Sequence, residues 1–486
     1  SDTDSLNPTA DLTISKTDGI AVYEGLSGAT QVAGDDQFVY VAGSQDNAVS
    51  MFKREVNSVD SDFGGLTYLG QMKNGVDGVS GLLGASDVMI SADGQTVYAS
   101  GSGDNTIVVF SKASNGLLTF VEKHTSGVFG VTGIEGVSAM YMSADGAHLY
   151  ATGPLSNSLA VFAVDQSGGV DHGKLTFVQN LQNAVDGVNG LANVSNVLVS
   201  NDDNHVYVTS ESGHSVSLFL RNPNDASVTY GQLSYQTTYA NGVDGVAGLM
   251  GAKSMTADSN GEFLYVLGAV DQALAVFSRD DTTGDLTFIE FKQNGTSNVV
   301  GLNLAREIIL SGDEQTIYVA GRGENALVRF DRDTVAGTLD FGSVINDGDP
   351  LSQPGTFIDG LSGAAGLYIT SGDEHLYVVA DQDHAVSIFD RDNINPPPTL
   401  GELSFHSVLL NGRGGVAPGT EVTYLIVASN NGPSDVEKAR IVDIFPQAFE
   451  SVSYECFPIN GAGCNTNVQT RNVDELVDLP VGSRVE

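Results

Sequence analysis

Short apolar runs, broken by Asp, Asn and Gly, succeed one another along most of this chain. Val97-Tyr98-Ala99-Ser100-Gly101 is followed by Asp104-Asn105 and then by Ile107-Val108-Val109-Phe110. This reads as two short strands joined by a tight Asx/Gly turn. The unit occurs seven times. Its tyrosines are Tyr40, Tyr98, Tyr150, Tyr207, Tyr265, Tyr318 and Tyr377, and twelve residues after each stands Phe52, Phe110, Phe162, Phe219, Phe277, Phe330 or Phe389. The period is about 56 residues, long for a propeller blade.

Each unit has two further parts. An apolar strand precedes the Tyr strand, as in Ala85-Ser86-Asp87-Val88-Met89-Ile90, and an Asp-Gly turn at Asp93-Gly94 joins the two. A fourth strand follows a variable loop, as in Leu118-Thr119-Phe120, and recurs down to Leu403-Ser404-Phe405. Helical periodicity is almost absent. Four antiparallel strands in each of seven units predict an all-β chain built as a seven-bladed β-propeller with four-stranded blades. A lone blade cannot bury both faces, whereas a closed ring buries each against the next.

The connection between blades is a motif of its own, Asn74-Gly75-Val76-Asp77-Gly78-Val79, with variants around Asp186, Asp244 and Asp359. These connections lead from an outer strand to the next inner strand. Asp77, Asp186, Asp244 and Asp359 are therefore expected around one mouth of the central channel. Two readings stand for them. An Asp before Gly caps a turn by bonding nearby amides; four carboxylates at one mouth form a cation site, with Ca²⁺ the suited ion. Asp60-Ser61-Asp62, Asp331-Arg332-Asp333 and Asp390-Arg391-Asp392 are weaker cation candidates at the rim.

The Tyr-Val-Ala-Gly strand, the Asp/Asn turn and the Phe strand, with Ser-x-Asp-Gly before them and Gly-x-Leu-Thr-Phe after, resemble the lactonase-type, YVTN-containing β-propellers. The resemblance spans residues 20 to about 410. It implies the propeller fold. The group combines 6-phosphogluconolactonase-like and carboxymuconate-cyclase-like enzymes with bacterial surface proteins of no known chemistry. The stretch from Val416, with Val422-Thr423-Tyr424, Asn430-Asn431-Gly432-Pro433-Ser434 and Asp443-Ile444-Phe445-Pro446, resembles the Ig-like repeat of bacterial surface proteins. The domains expected are a linker and N-terminal strand at 1–19, the propeller at 20–412 and an Ig-like β-sandwich at 413–486 that lacks its last strand. Residues 10–19 have three readings: first strand of the Ig-like domain, closing strand of the last blade, or a strand donated to a neighbouring molecule. The chain stops at Glu486 inside a strand-like stretch, as expected of a piece of a longer polypeptide.

Composition narrows the function. Sixty acidic residues against 21 basic give a formal charge of -39. Such a field repels phosphates, so nucleic acid and anionic membranes are poor partners. No apolar run is long enough to span a bilayer. Trp is absent, against a WD-type repeat. Cys456 and Cys464 are the two cysteines, spaced for a local disulfide in an oxidising compartment.

A lactonase would need a base and cations for an anionic substrate. The eight histidines do not gather: His148, His205 and His375 read as solvated hairpin residues, and His214 and His384 as turn residues. Arg306, Glu307 and Arg322 read as a local ion pair. The expectation is accordingly not an enzyme but an extracellular or bacterial cell-surface structural protein. It would be part of an adhesin or filament, assembling with copies of itself or tandem Ig-like modules by β-strand addition. The alternatives are a propeller that binds a glycan or protein ligand, and a lactonase-like hydrolase.

Overall fold

The structure, a computed structural model, describes residues 6–10, 25–58, 63–349, 358–391, 403–409, 424–430, 436–443 and most of 453–485. The chain divides into two units, residues 1–349 with 358–391, and residues 350–357 with 392–486.

The first unit is the expected seven-bladed propeller. Seven four-stranded antiparallel sheets follow one another, and six are made of consecutive strands. Blade 1 runs Ala29–Gly34, Phe38–Gly43, Ala48–Arg54 and Leu66–Lys73 from inner to outer strand. The inner strands of blades 2 to 7 are Ala85–Ile90, Met140–Met142, Val194–Val199, Ala252–Ala257, Glu307–Leu310 and Ala364–Ile369. The second strands are buried at every residue, as Phe38–Gly43 is, because both faces meet neighbouring blades.

The repeated Tyr and Phe have separate tasks. Each Tyr is fully buried, and those of blades 1 to 5 and 7 carry their hydroxyl to the next blade. Tyr40 donates to the Gly116 carbonyl at 2.8 Å, Tyr98 to Gly173 at 2.8 Å, and Tyr377 closes the ring by donating to Gly64 at 2.6 Å. A buried phenol needs such a partner. In blades 1 to 6 the Phe instead packs within its own blade on the aromatic ring of the fourth strand, as Phe110 does on Phe120 and Phe277 on Phe288. This explains the Leu-Thr-Phe motif.

Two details depart from the sequence expectation. Blade 7 takes its outer strand from the N-terminus: Leu6–Ala10 pairs antiparallel with Ala385–Arg391. Leu403–Leu409, read from sequence as that outer strand, pairs with Tyr424–Asn430 in the second unit. Residues 11–19, which carry most of the stretch with three readings, lie outside the described residues.

Within the second unit, one sheet joins Leu403–Leu409, Tyr424–Asn430, Arg484–Val485 and Pro458–Ile459, and another pairs Val436–Asp443 with Val473–Leu479. Cys456 and Cys464 are joined by a disulfide. The turn at 431–434 and Pro446, which carry much of the Ig-like resemblance, lie outside the described residues.

Candidate functional site

The inner strands line a central cavity of about 440 Å³. A small bulge recurs near the start of five of them, for example between Ala85 and Asp87 and between Val194 and Asn196. The residue after the bulge occupies the same place in every blade. Around the ring this place holds Gln31, Asp87, Ala139, Asn196, Ser254, Glu307 and Gly366. The place before it holds Thr30, Ser86, Ser138 and Ser195 in blades 1 to 4, but Lys253 and Arg306 in blades 5 and 6. Thr30, Ser86 and Ser195 there bond the next blade, as Ser86 Oγ does on the Val137 carbonyl at 2.8 Å. Lys253 and Arg306 instead put cations on the cavity wall.

The turns between second and third strands supply their partners. Lys253 Nζ lies 2.6 Å from Glu211 Oε1. Arg306 Nη1 and Arg322 Nε both donate to Asp381 Oδ2, at 3.3 and 2.8 Å. Each guanidinium side chain keeps 34% of its surface exposed, against 13% for Asp381. Asp381 Oδ1 is buried without a hydrogen bond among the described residues. Two guanidiniums thus share one carboxylate oxygen, leaving a surplus positive charge in a chain of net charge -39. Burial pulls Arg306 below the usual guanidinium value, and Arg322 acts the same way against the opposing pull of Asp381. An anion docking there would relieve that repulsion.

Two carboxyls complete the cavity wall. Asp87 accepts from the amides of Val88 at 2.8 Å and of Met140, in blade 3, at 2.6 Å. Burial nonetheless pushes its carboxyl up to about 7. Glu307 follows Arg306 and is half-buried. Its Oε2 accepts from the Leu367 amide at 2.7 Å and its Oε1 from Gln31 Nε2 at 2.8 Å. Burial pushes it up to about 8, and the Asp87 charge adds to this. A carboxyl poised near neutrality beside cations is the arrangement general acid–base chemistry uses.

The sequence-predicted cation residues are elsewhere. None of Asp77, Asp186, Asp244 and Asp359 lines the cavity. Asp77, Asp186 and Asp244 sit exposed in closed turns directly after an outer strand, with φ of 48°, 51° and 52°. The turn around Asp77 is closed by the Gly75 amide on the Val79 carbonyl at 2.8 Å. Its counterpart after the outer strand of blade 2 is Phe129, φ 50° and fully exposed, so the position serves turn geometry. Asp359 is not their counterpart. The Gly348 amide bonds the Ile358 carbonyl as Gly75 bonds Val79, which sets Asp359 opposite Ser80, one residue past the turn. The insertion before it disguised this in the sequence. Asp359 does stand with Asp347 and Asp383, their carboxylate oxygens within 4.8 Å of one another. Asp331 and Asp333 are engaged with Arg329 and with the Val335 and Ala336 amides. Asp60 to Asp62 lie outside the described residues.

The histidines also need correction. His148, His205 and His375 are buried, not solvated, and receive an arginine from the next blade, as His205 Nδ1 does Arg279 Nη2 at 2.7 Å. Burial with the Arg221 charge presses His148 down to about 4. His214 and His384 accept the Gly251 and Gly28 amides of the following blade.

Residues 29–130, 139–300 and 246–404 match the family described as lactonase, 7-bladed β-propeller, and the chain belongs to that family. Among solved structures, a periplasmic gluconolactonase from Pseudomonas aeruginosa is similar over 65% of this chain and 84% of its own, at 19% identity and a TM-score of 0.51. A functionally unknown protein from Desulfotomaculum acetoxidans is similar over 73% and 92%, at 15% identity and a TM-score of 0.52. Both likenesses concern the fold. No curated protein shows significant similarity to the chain.

Family membership overturns the expectation that the chain is not an enzyme, because a lactonase family points to a hydrolase. The physical source of that error is the search for gathered histidines. The cavity's charged groups are instead contributed one or two per blade, Asp87, Lys253, Arg306 and Glu307.

Proposed function

We propose that the chain is a lactonase-like hydrolase whose substrate is a small anionic lactone held in the central cavity. The observation that carries this reading is the shared Asp381 oxygen: Arg306, on the wall of the cavity that also holds Glu307, divides that carboxylate with Arg322, and both guanidinium side chains keep 34% of their surface exposed. Membership of the lactonase family supports it.

In this reading Arg306 and Arg322 hold the substrate's anionic group, with Lys253 on the adjacent blade. Glu307 takes a proton from water while the water oxygen bonds the lactone carbonyl carbon. The ring C–O bond then breaks, the alkoxide recovers the proton from Glu307, and a hydroxy acid leaves. Charge on the carbonyl oxygen builds up next to fixed cations, where stabilisation is strongest. The ionised base is the active form, so the rate rises with pH through about 8, the value to which Glu307 is pushed.

A filament built by donating residues 10–19 is less favoured than the hydrolase reading, because the family match supports the latter; Leu6–Ala10, just before that stretch, pairs within its own chain in blade 7. The test is hydrolysis of phosphorylated, carboxylated and neutral lactones, followed by pH-stat titration. Turnover of the anionic ones supports the reading; a folded protein inert to the whole panel refutes it.

A further inference from the structure

We infer that Gln31 is a positioning residue for Glu307, and that Gly366 is the gap through which it acts. This rests on the reading of Glu307 as the base, and deepens it.

The side chains of the ring place mostly reach only to the following blade. Asp87 reaches Met140 in blade 3, Ser254 Oγ meets the Ile308 amide in blade 6 at 3.4 Å, and Glu307 reaches Leu367 in blade 7. Gln31 departs from this rule. It reaches back from blade 1, past blade 7, to Glu307 in blade 6. Its own orientation is fixed, because Oε1 accepts the Val32 amide at 2.8 Å, which turns the Nε2 donor toward Glu307.

The path exists because blade 7 has no side chain at the ring place. A Cβ on Gly366 would stand 2.6 Å from Gln31 Oε1, 2.9 Å from Gln31 Cα and 2.8 Å from Val379 Cγ2. Gly366 is not in the left-handed region, so its backbone does not demand glycine. Its value is steric. Gln31 and the Leu367 amide together hold both Glu307 oxygens, one each, at one rotamer.

The donor also acts on the charge. A hydrogen bond from Gln31 favours the carboxylate and works against burial. The charged groups facing Glu307 are Arg306 on its own strand, which favours ionisation, and Asp87 from blade 2, which opposes it. Arg322 and Asp381 act through Arg306. Gln31 and Gly366 are neutral, so changing them leaves these charges in place.

The experiment is a ¹³C-carboxyl NMR titration of Glu307 in the full chain, its signal assigned by its loss in Glu307→Gln. It is run beside the pH profile of kcat/KM, for the wild type, Gln31→Leu and Gly366→Ala. The expected result is a midpoint that rises by about one pH unit in both variants, with the activity profile moving by the same amount. Gln31→Leu keeps the test decisive if Gly366→Ala fails to fold. An unmoved midpoint in Gln31→Leu overturns the inference. If the wild type hydrolyses no lactone, the hydrolase reading fails, while the NMR midpoint still decides whether Gln31 governs Glu307.

Discussion

Arg322 Nε stands 2.8 Å from Asp381 Oδ2, across the boundary between blades 6 and 7, and Arg306 reaches the same oxygen from the inner strand. Gly363 makes this arrangement fit: a Cβ there would lie 2.2 Å from Asp381 Oδ1. The carboxylate is thereby pressed into the wall and the two guanidiniums are left half-exposed.

Replacing either guanidinium should therefore weaken the enzyme mainly through the anionic substrate. A charge-assisted hydrogen bond is worth about 1.5–3 kcal/mol, so Arg306→Gln and Arg322→Gln should each lower kcat/KM by about ten- to a hundredfold. A neutral lactone should lose much less. Steady-state kinetics on the paired substrates measures the difference.

The last blade is tied to the first by the Gly28 amide, which donates to His384 Nδ1 at 2.9 Å. Asn47, Asn105, Asn157 and Asn325 make the same bond to the blade that follows each of them. His384→Asn should then be nearly neutral, whereas His384→Ala should cost about 1–2 kcal/mol by leaving the amide unpaired. Denaturant titration of the two variants checks this.

Stability should fall on the alkaline side. Glu307 and Asp87 are pushed up to about 8 and about 7, so the folded chain keeps protons that the unfolded chain has already released above about pH 4. Their stabilising contribution is complete below that pH and is lost as pH rises through 7 to 8. Glu307→Gln should make that fall shallower between pH 5 and pH 9, by up to about 4 kcal/mol at ~1.4 kcal/mol per pH unit. Melting temperatures of both proteins across that range give the comparison.

Two glycines with similar backbone angles should respond differently. A Cβ at Gly231, φ 74°, would stand 2.1 Å from the buried His148 ring, while one at Gly75, φ 79°, meets nothing within 4 Å. Gly75→Ala should cost only the left-handed backbone penalty, about 1 kcal/mol. Gly231→Ala should cost at least about 2 kcal/mol more, through forced separation of blades 3 and 4. Thermal unfolding separates the two.

The propeller was legible because its signals are local and repeated. The alternation within each strand, the turn chemistry and the Tyr-to-Phe offset all lie within about one unit, and the tyrosine hydroxyl shows why the offset persists. The cavity was not legible by the same means. Its residues occupy equivalent places in different blades and matter because they break the repeat. Lys253 and Arg306 replace Thr30, Ser86, Ser138 and Ser195, and Gly366 replaces a side chain. Aligning the units column by column at the inner strand would have exposed those departures. The Val-Asp-Gly motif is repeated for the opposite reason: it makes a turn, the first of its two readings. Asp359 was drawn into it by an insertion that shifts the register.

The most direct test of the account is the hydrolysis rate of a carboxylated or phosphorylated lactone by the wild type and by the Arg306→Gln/Arg322→Gln double variant, with melting temperature measured on both. The account predicts catalysed ring opening by the wild type and a loss of at least about a hundredfold in the double variant, at a temperature where its own melting curve shows it still folded; that melting temperature should be lower, because Asp381 loses both guanidiniums. Equal rates in the two proteins, or no catalysis by the folded wild type on any anionic lactone, would contradict it.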